Sequence, residues 1–221
     1  MKIHRFIGHI EDQEITRQIR NVLKLKAGER IILGDGKGHD SLLEIAHIDK
    51  EIKYKLIEIL ETAKPKREVH LYLAILKKEN FELAVQKAVE CGVSTITPII
   101  TEHTIKTGLN IPRLEKIILE ASEQCGRATL PEIFEIFYFS EAIDSHAEEK
   151  IIFHTDENTK DYAPNKEATS VNIFVGPEGG FTEKEISLAK ERGYTPASLG
   201  ALTLRGETAA IVGTYRAVHA I

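Results

Sequence analysis

From residue 69 onward, short apolar runs alternate with amphipathic segments of helical period. The apolar runs span 69–76, 93–100, 151–153, 171–175 and 195–199, and helical patterns cover 81–89, about 112–121, 182–193 and 207–219. Strands that are apolar throughout are typical of parallel sheets covered by helices on both faces. The alternation therefore predicts an α/β domain built on a parallel sheet.

Local signals mark the ends of these predicted helices. Gly92 follows the apolar face of the first helix and has the position of a C-terminal glycine, and Pro112 suits the first turn of the next. Thr182 and Glu185 have the spacing of a capping box, which opens a helix that Gly193 closes.

The first seventy residues follow a different pattern. Runs 3–10, 29–33, 41–48 and 53–60 are short, partly alternating and rich in β-branched residues, which predicts strands. Ile15, Ile19, Val22 and Leu23 predict one face of a helix between the first two strands. A region this short closes most naturally as a small barrel.

Two segments separate these strands from each other and from the α/β region. The glycine-rich run 34–38 predicts a hairpin turn, because the Gly-x-x-x-x-Gly-Lys-Ser/Thr pattern of a phosphate loop is absent from it. The polar, proline-broken run 64–67 predicts a linker. We therefore expect a small β domain, residues 1–69, followed by an α/β domain, residues 70–221.

Composition narrows the class of protein. No apolar run approaches the roughly 20 residues of a membrane span, and no signal-peptide pattern follows the first residues. Both observations predict a cytoplasmic protein that does not associate with a membrane. The two cysteines and nine histidines show no metal-ligand spacing, so no metal is expected. Residues 1–70 hold 14 Lys and Arg against 12 Asp and Glu (net +2), and residues 71–221 hold 15 against 22 (net −7), which favours the N-terminal part as the one that contacts a polyanion.

Three predicted strand ends carry polar or glycine-rich segments. They are 154–156, 176–180 and 199–208, and the last two directly precede predicted helices. Ligands of open α/β sheets bind at the carboxyl ends of strands, where glycine lets the backbone approach closely. A tight strand-to-helix turn would explain one glycine, but 176–180 holds three glycines and a proline. The pattern predicts a ligand pocket without identifying its ligand, since the dinucleotide-binding Gly-x-Gly-x-x-Gly fingerprint is missing.

The residues of these segments resemble a known signature. Gly176-Pro177-Glu178-Gly179-Gly180-Phe181, Leu199-Gly200 and Leu204-Arg205-Gly206-Glu207-Thr208-Ala209 are similar to the motifs of SPOUT-class methyltransferases, and most similar to those of bacterial 16S ribosomal RNA (uracil-N3) methyltransferases. Segments 4–6, 35–36, 86–93 and 120–127, with Pro131, extend the likeness over the whole chain. Two departures are Gly206, in a variable slot, and Glu102-His103-Thr104, which stands where the family tends to have an Arg-Ser-like pair.

The resemblance implies a fold, a cofactor and an assembly. The fold would be a PUA-like β-barrel followed by a SPOUT-like α/β domain with a deep trefoil knot, and the active enzyme would be a homodimer. S-adenosylmethionine (SAM) would lie in the knot. Its walls would be formed by Thr155, Val175, Gly176, Pro177, Gly179, Gly180, Leu199, Gly200, Leu202, Leu204, Arg205 and Thr208.

The implied reaction methylates N3 of a specific uridine in 16S ribosomal RNA of the assembled small subunit. Uracil N3 carries a proton, so we expect Arg205 to stabilise the negative charge of the deprotonated base, and Glu178 or Glu207 to accept the proton. Glu207 could instead complement a helix dipole, and Glu178 could only hold its loop. Arg127 could reach the partner subunit's pocket or be a surface charge at a helix end.

Cations of the small domain are the candidates for RNA contacts. Arg5, Arg17, Arg20 and Lys24 could bind phosphates, although each alone could equally be a solvated surface charge. The alternatives are a SPOUT methyltransferase that acts on transfer RNA or on another RNA position, and a non-catalytic RNA-binding protein of ribosome assembly.

Overall fold

The computed structural model describes residues 3–62, 65–105, 107–156 and 159–221. The chain forms two compact units, of which one comprises Met1–Lys64 with Ser122–Leu130 and the other Pro65–Ala121 with Pro131–Ile221. The domain limits 1–69 and 70–221 stay a prediction. Nothing in the sequence pattern signals that 122–130 returns to the first unit.

The first unit is a four-stranded sheet with one irregular helix. Its elements are β1 (His4–Ile7), α1 (Gln13–Arg17), a π-helical turn (Gln18–Val22), β2 (Arg30–Gly34), β3 (Asp40–Ile48) and β4 (Ile52–Leu60). The order is β1-β2-β3-β4, with β1 parallel to β2 and the other pairs antiparallel. Closure of this sheet into a barrel stays a prediction.

The helical face of this unit differs from its prediction at one residue. Ile15 and Ile19 are buried against Phe6, Ile31 and other strand residues, but Val22 is 61% exposed. The chain widens into a π-helical turn at Gln18, and the wider turn takes Val22 off the predicted face, whereas Leu23 still packs against the core.

The glycine-rich run 34–38 forms the predicted hairpin turn. Gly34 pairs with Asp40 across β2 and β3, and the backbone N–H of Asp35 donates to the carbonyl of His39 at 3.1 Å. The returning segment of the same unit pairs with this turn: the N–H of Gly38 donates to the carbonyl of Ala128 at 3.0 Å.

The second unit confirms the predicted parallel sheet. Within its described residues, seven strands run in the order β11-β9-β10-β5-β6-β7, with β8 paired to β6, and all these pairs are parallel. The elements are β5 (Glu68–Ala74), α2 (Lys78–Cys91), β6 (Thr95–Ile100), α3 (Ile111–Cys125, of which 122–125 belong to the first unit), β7 (Glu132–Ile133), β8 (Phe137–Tyr138), α4 (Phe139–Ala142), β9 (Glu149–Phe153), β10 (Ser170–Val175), α5 (Glu183–Glu191), β11 (Thr195–Ala197) and α6 (Gly206–His219).

Helices cover both faces of this sheet. Alternate residues of β10 face opposite ways: Ile173 joins a core cluster with residues of α2 and α6, and Phe174 joins a second cluster with α4 and α5. Gly92 caps α2 with φ +102°, and Thr182 and Glu185 form the predicted capping box of α5.

The run 64–67 is a linker only in part. Lys64 lies outside the described residues, and Arg67 is 6% exposed within the second unit. Its guanidinium donates to the carbonyl of Ala217 at 3.0 Å and lies 3.4 Å from a carboxylate oxygen of Glu149. Arg67 therefore holds the last turns of α6 against the second unit. Its position in a polar, proline-containing run did not indicate this role.

Candidate functional site

The three polar strand ends meet at one cavity. The strands β9, β10 and β11 are neighbours in a parallel sheet, so their carboxyl ends lie along the same edge. The segments that follow them enclose a cavity of about 490 Å³. This volume lies in the range of about 300–1,000 Å³ that is typical of small-molecule sites.

Ten of the predicted cofactor residues line this cavity, and they are Thr155, Val175, Gly176, Pro177, Gly179, Gly180, Leu199, Leu202, Leu204 and Arg205. Two others do not. Gly200 forms the exposed turn after β11, where its φ of +118° requires glycine, and Thr208 lies half-buried in the first turn of α6.

The wall also contains residues outside the twelve named for the cofactor. Phe153, His154, Phe181, Ala197, Thr203, Gly206 and Ala209 complete the lining with Glu178. His154, Thr203 and Gly206 lie within the predicted pocket segments 154–156 and 199–208, and the other four of these seven residues lie one or two positions from a predicted segment.

Glycine backbone shapes the wall where a side chain would interfere. A Cβ at Gly176 would lie 3.1 Å from the ring of Phe181, and Gly180 has φ +68°. The backbone N–H of Gly180 donates to the carbonyl of Pro177 at 2.9 Å, which closes the segment into a turn. A Cβ at Gly206, the first residue of α6, would lie 2.8 Å from Cδ2 of Leu76. Close approach of backbone is therefore built into two sides of the cavity.

The proposed catalytic residues fall in different places. Arg205 lines the cavity and is exposed, as is Glu178, whose Oε1 accepts a long bond of 3.4 Å from the backbone N–H of Lys77. Glu207 is 8% exposed and is not a lining residue, and no described residue supplies a hydrogen-bond partner to its Oε2.

Arg127 belongs to the first unit and is partly buried there. Its Nε donates to the carbonyl of Thr129 at 3.2 Å, and burial lowers the pKa of its guanidinium. Its backbone carbonyl accepts from Arg5 at 3.4 Å. The side chain is thus held by its own unit more firmly than a surface arginine would be.

The four predicted RNA-contact residues also differ in exposure. Arg5 is 13% exposed and forms an ion pair of 2.5 Å with Asp40, so its charge serves the interior of the first unit. Arg17 is paired at 2.7 Å with Glu14 on the surface. Arg20 donates to the backbone carbonyls of Asp49 and Lys50, whereas Lys24 is exposed at the end of the helical segment.

No helix within the described residues has both the length and the apolar character that a membrane crossing requires. Among the same residues, no group of three or more His, Cys, Asp or Glu side chains is arranged to hold a metal ion.

The comparisons with known proteins agree with this architecture. Residues 62–217 match the family described as RNA methyltransferase domain, and residues 12–58 match the RNA methyltransferase PUA domain. The chain is thus an RNA methyltransferase: the parallel sheet with the cavity lies in its methyltransferase domain, which a PUA domain accompanies. The ribosomal RNA small subunit methyltransferase E of Rickettsia conorii is 31% identical over 177 residues, 77% of this chain and 72% of that protein. The chain belongs to the ribosomal RNA small subunit methyltransferase E family.

Further relatives support the same family. The Mesomycoplasma hyopneumoniae protein of that name is 35% identical over 166 residues, 70% of this chain and 72% of that protein. The solved Neisseria gonorrhoeae enzyme, also a ribosomal RNA small subunit methyltransferase E and bound to SAM, superposes with a TM-score of 0.84 at 29% identity. That superposition covers 96% of this chain and 95% of the other.

Proposed function

We propose that this chain transfers a methyl group from SAM to N3 of a specific uridine in 16S ribosomal RNA. The observation that carries the proposal is the cavity of about 490 Å³ at the ends of β9, β10 and β11, in a chain whose fold matches a SAM-bound relative over 96% of its length. The family supports small-subunit ribosomal RNA as the substrate. The N3 position is supported by the resemblance of segments 176–181 and 204–209.

The lining of the cavity suits a ligand with polar and apolar parts. Leu199, Leu202 and Leu204 offer apolar surface, and the three glycines of segment 176–180 bring backbone N–H and carbonyl groups to the wall. When bound, SAM supplies a methyl group on a positively charged sulfur, which makes that methyl reactive toward a nucleophile. The leucines and the glycine segment would both contact the cofactor.

The chain must also make the uracil nitrogen nucleophilic. Arg205 lines the cavity with its charge exposed, so it would stabilise the negative charge that spreads to the uracil oxygens as N3 loses its proton. We assign proton acceptance to Glu178, because this residue lines the same cavity and is exposed. Glu207 is buried at the start of α6 and would act on the site by fixing the helix that follows Arg205.

The remaining parts of the proposal concern partners and place. The first unit would bind the RNA through Arg5, Arg17, Arg20 and Lys24, of which Arg17 and Lys24 are the exposed ones. The substrate would be the assembled small subunit in the cytoplasm, and the enzyme would work as a homodimer that needs no metal.

One experiment separates this function from its alternatives. Small subunits and transfer RNA from a strain that lacks the gene are incubated separately with the purified protein and methyl-labelled SAM, and the nucleosides are identified by mass spectrometry. We expect label in 3-methyluridine of 16S ribosomal RNA. Label in transfer RNA or in another nucleoside would make the assigned position wrong, and failure to bind SAM at millimolar concentration would favour a non-catalytic assembly protein.

A further inference from the structure

The segment that follows β6 touches the glycine-rich segment 176–180. Nδ1 of His103 lies 3.0 Å from the carbonyl oxygen of Gly179 and 3.1 Å from that of Gly180. A carbonyl oxygen only accepts hydrogen bonds, so Nδ1 must carry the proton and donate to both. The contact therefore fixes the tautomer of His103 as well as its position.

The segment 101–104, which carries His103, is itself held in place. The backbone N–H of Thr101 donates to Oγ1 of Thr104 at 2.9 Å, which ties the segment into a turn. The N–H of Glu102 donates at 2.9 Å to Oε1 of Glu185, whose other oxygen belongs to the capping box of α5. The imidazole thus links the glycine-rich segment to the ends of two regular elements.

Packing around Gly179 matches this link. A Cβ built on Gly179 would lie 3.1 Å from Cβ of His103 and 3.3 Å from its Nδ1, closer than ordinary contacts. The next residue, Gly180, has the left-handed φ of +68°. Two adjacent glycines therefore let the backbone turn its carbonyls toward the imidazole, and the same two residues line the cavity.

We propose that His103 is a positioning residue that holds segment 176–180 in its binding conformation. His103 is not among the lining residues, so it would act on a ligand through the wall and not by contact. A segment that is ordered before binding loses less conformational entropy on binding, which raises affinity. This inference rests on the proposed use of the cavity for SAM.

The test compares three substitutions by calorimetric titration with SAM. His103→Ala removes the donor, and we expect SAM binding to weaken about 3- to 10-fold, the effect of one or two modest hydrogen bonds. His103→Asn places an amide N–H where Nδ1 stood, since both branch at Cγ, and should restore affinity to within about twofold. His103→Gln places its amide one bond further out, near Nε2, and should not restore it.

Kinetics and spectroscopy separate positioning from a general structural role. The Ala variant should raise the KM for SAM while kcat at saturating SAM stays near that of the unchanged protein. Nitrogen-15 spectra of the unchanged protein should show His103 protonated at Nδ1. Equal affinities of the unchanged, Ala and Gln forms, or protonation at Nε2 alone, would overturn the proposal.

The two proposals can fail separately. If the unchanged protein does not bind SAM, the proposed function fails, whereas the spectroscopic tautomer measurement needs no cofactor and still tests the link from His103 to Gly179 and Gly180. If the unchanged protein binds SAM and the Ala variant binds equally well, only the role of His103 is wrong.

Discussion

Glu178 and Glu207 differ in how the structure presents their carboxylates. Glu178 is exposed at the cavity, and Glu207 is buried outside its lining. We expect Glu178→Gln to lower kcat by about 10²- to 10⁴-fold, the usual loss when a general base is removed, because glutamine cannot accept the proton. Glu207→Gln should change kcat by less than about tenfold. The measurement is initial-rate methylation of small subunits at saturating SAM.

A matched control uses a carboxylate distant from the cavity lining. Glu191 is exposed at the end of α5, and Glu191→Gln should leave kcat unchanged. If Glu207→Gln gave the larger loss, the assignment of the two carboxylates would have to be exchanged.

A Gly213→Ala substitution should gain stability from helix propensity and lose stability from overpacking. Alanine in a helix interior is about 1 kcal/mol more favourable than glycine, but a Cβ at Gly213 would overlap Cε2 of Phe153 and lie 3.0 Å from its Cζ. Overpacking of this kind costs about 1–3 kcal/mol, so after the gain of about 1 kcal/mol in helix propensity we expect Gly213→Ala to lower the free energy of unfolding by up to about 2 kcal/mol. Urea denaturation measures this change, and SAM affinity should fall with it because Phe153 lines the cavity.

Gly108 provides the control for this substitution. It lies outside the helices, and a Cβ built there meets no atom within 4 Å. Gly108→Ala should change the free energy of unfolding by less than about 0.5 kcal/mol. A Gly213→Ala variant that is more stable than the unchanged protein would contradict the prediction, because it would show that the ring of Phe153 can move aside without cost.

Asp35 gives the hairpin turn a pH dependence. The backbone N–H of Lys37 donates to Oδ1 at 2.7 Å and Nδ1 of His39 lies 2.8 Å from Oδ2, and these bonds lower the pKa of Asp35 to about 2. A lowered pKa means that the ionised form is favoured by folding, so its contribution is present above the ordinary value of about 3.9 and is lost as pH falls through about 2. Carbon-13 titration of the Asp35 carboxyl should show this midpoint.

The Asp35→Asn variant checks the sign. The difference in unfolding free energy between the unchanged protein and this variant should be constant above about pH 5 and should shrink between about pH 4 and pH 2. A carboxyl midpoint near 4 would mean that the turn does not hold Asp35 in solution.

The start of α5 supports two neighbouring segments. The glycine-rich segment 176–180 leads into it, and the backbone N–H of Glu102 donates to Glu185 in its first turn. Oε2 of Glu185 accepts from the N–H of Thr182 at 2.8 Å, and the hydroxyl of Thr182 accepts in return from the N–H of Glu185 at 3.3 Å. Thr182→Ala should lower the free energy of unfolding by about 1 kcal/mol, as loss of an N-cap does, whereas Thr182→Ser should keep nearly all of it. Urea denaturation of the two variants decides, and equal values would contradict a role for the hydroxyl.

Elements with strong local signals are the ones that sequence predicts best. The capping pair Thr182 and Glu185 and the terminal Gly92 act within one helical turn, so the sequence contains the whole cause of those helix ends. The strands β7 and β8 have two residues each, too few to show any period, and their pairing with β6 depends on the tertiary fold. The π-helical turn that exposes Val22 likewise has no signal in apolar spacing.

The site divides in the same way. The strand-end rule predicts which segments face a ligand, and ten of twelve predicted wall residues line the cavity. It cannot predict which face of a helix start is buried, as Glu207 illustrates, or which distant segment supports a wall, as His103 illustrates. Both depend on contacts between residues far apart in sequence.

At the scale of the whole molecule, the proposed homodimer makes a prediction about how residues are shared between subunits. Arg127 lies in the first unit and Arg205 at the cavity of the second, and we propose that a working site combines Arg205 of one protomer with Arg127 of the other. Arg127→Ala and Arg205→Ala should each be inactive alone. Co-expressed at equal levels, they form mixed dimers in which one of two sites has both arginines.

Random pairing makes half of the dimers mixed, so about a quarter of the unchanged protein's activity should return if sites are shared. Differently tagged subunits, purified through both tags, should contain only mixed dimers and reach about half of that activity. Sites built within one chain would give no recovery, because every site in a mixed dimer would then lack one arginine. An active Arg127→Ala variant would remove Arg127 from the site altogether, and light scattering that shows a monomer at assay concentration would remove the shared site. Recovery that depends on mixing is therefore the result that only subunits sharing one site produce.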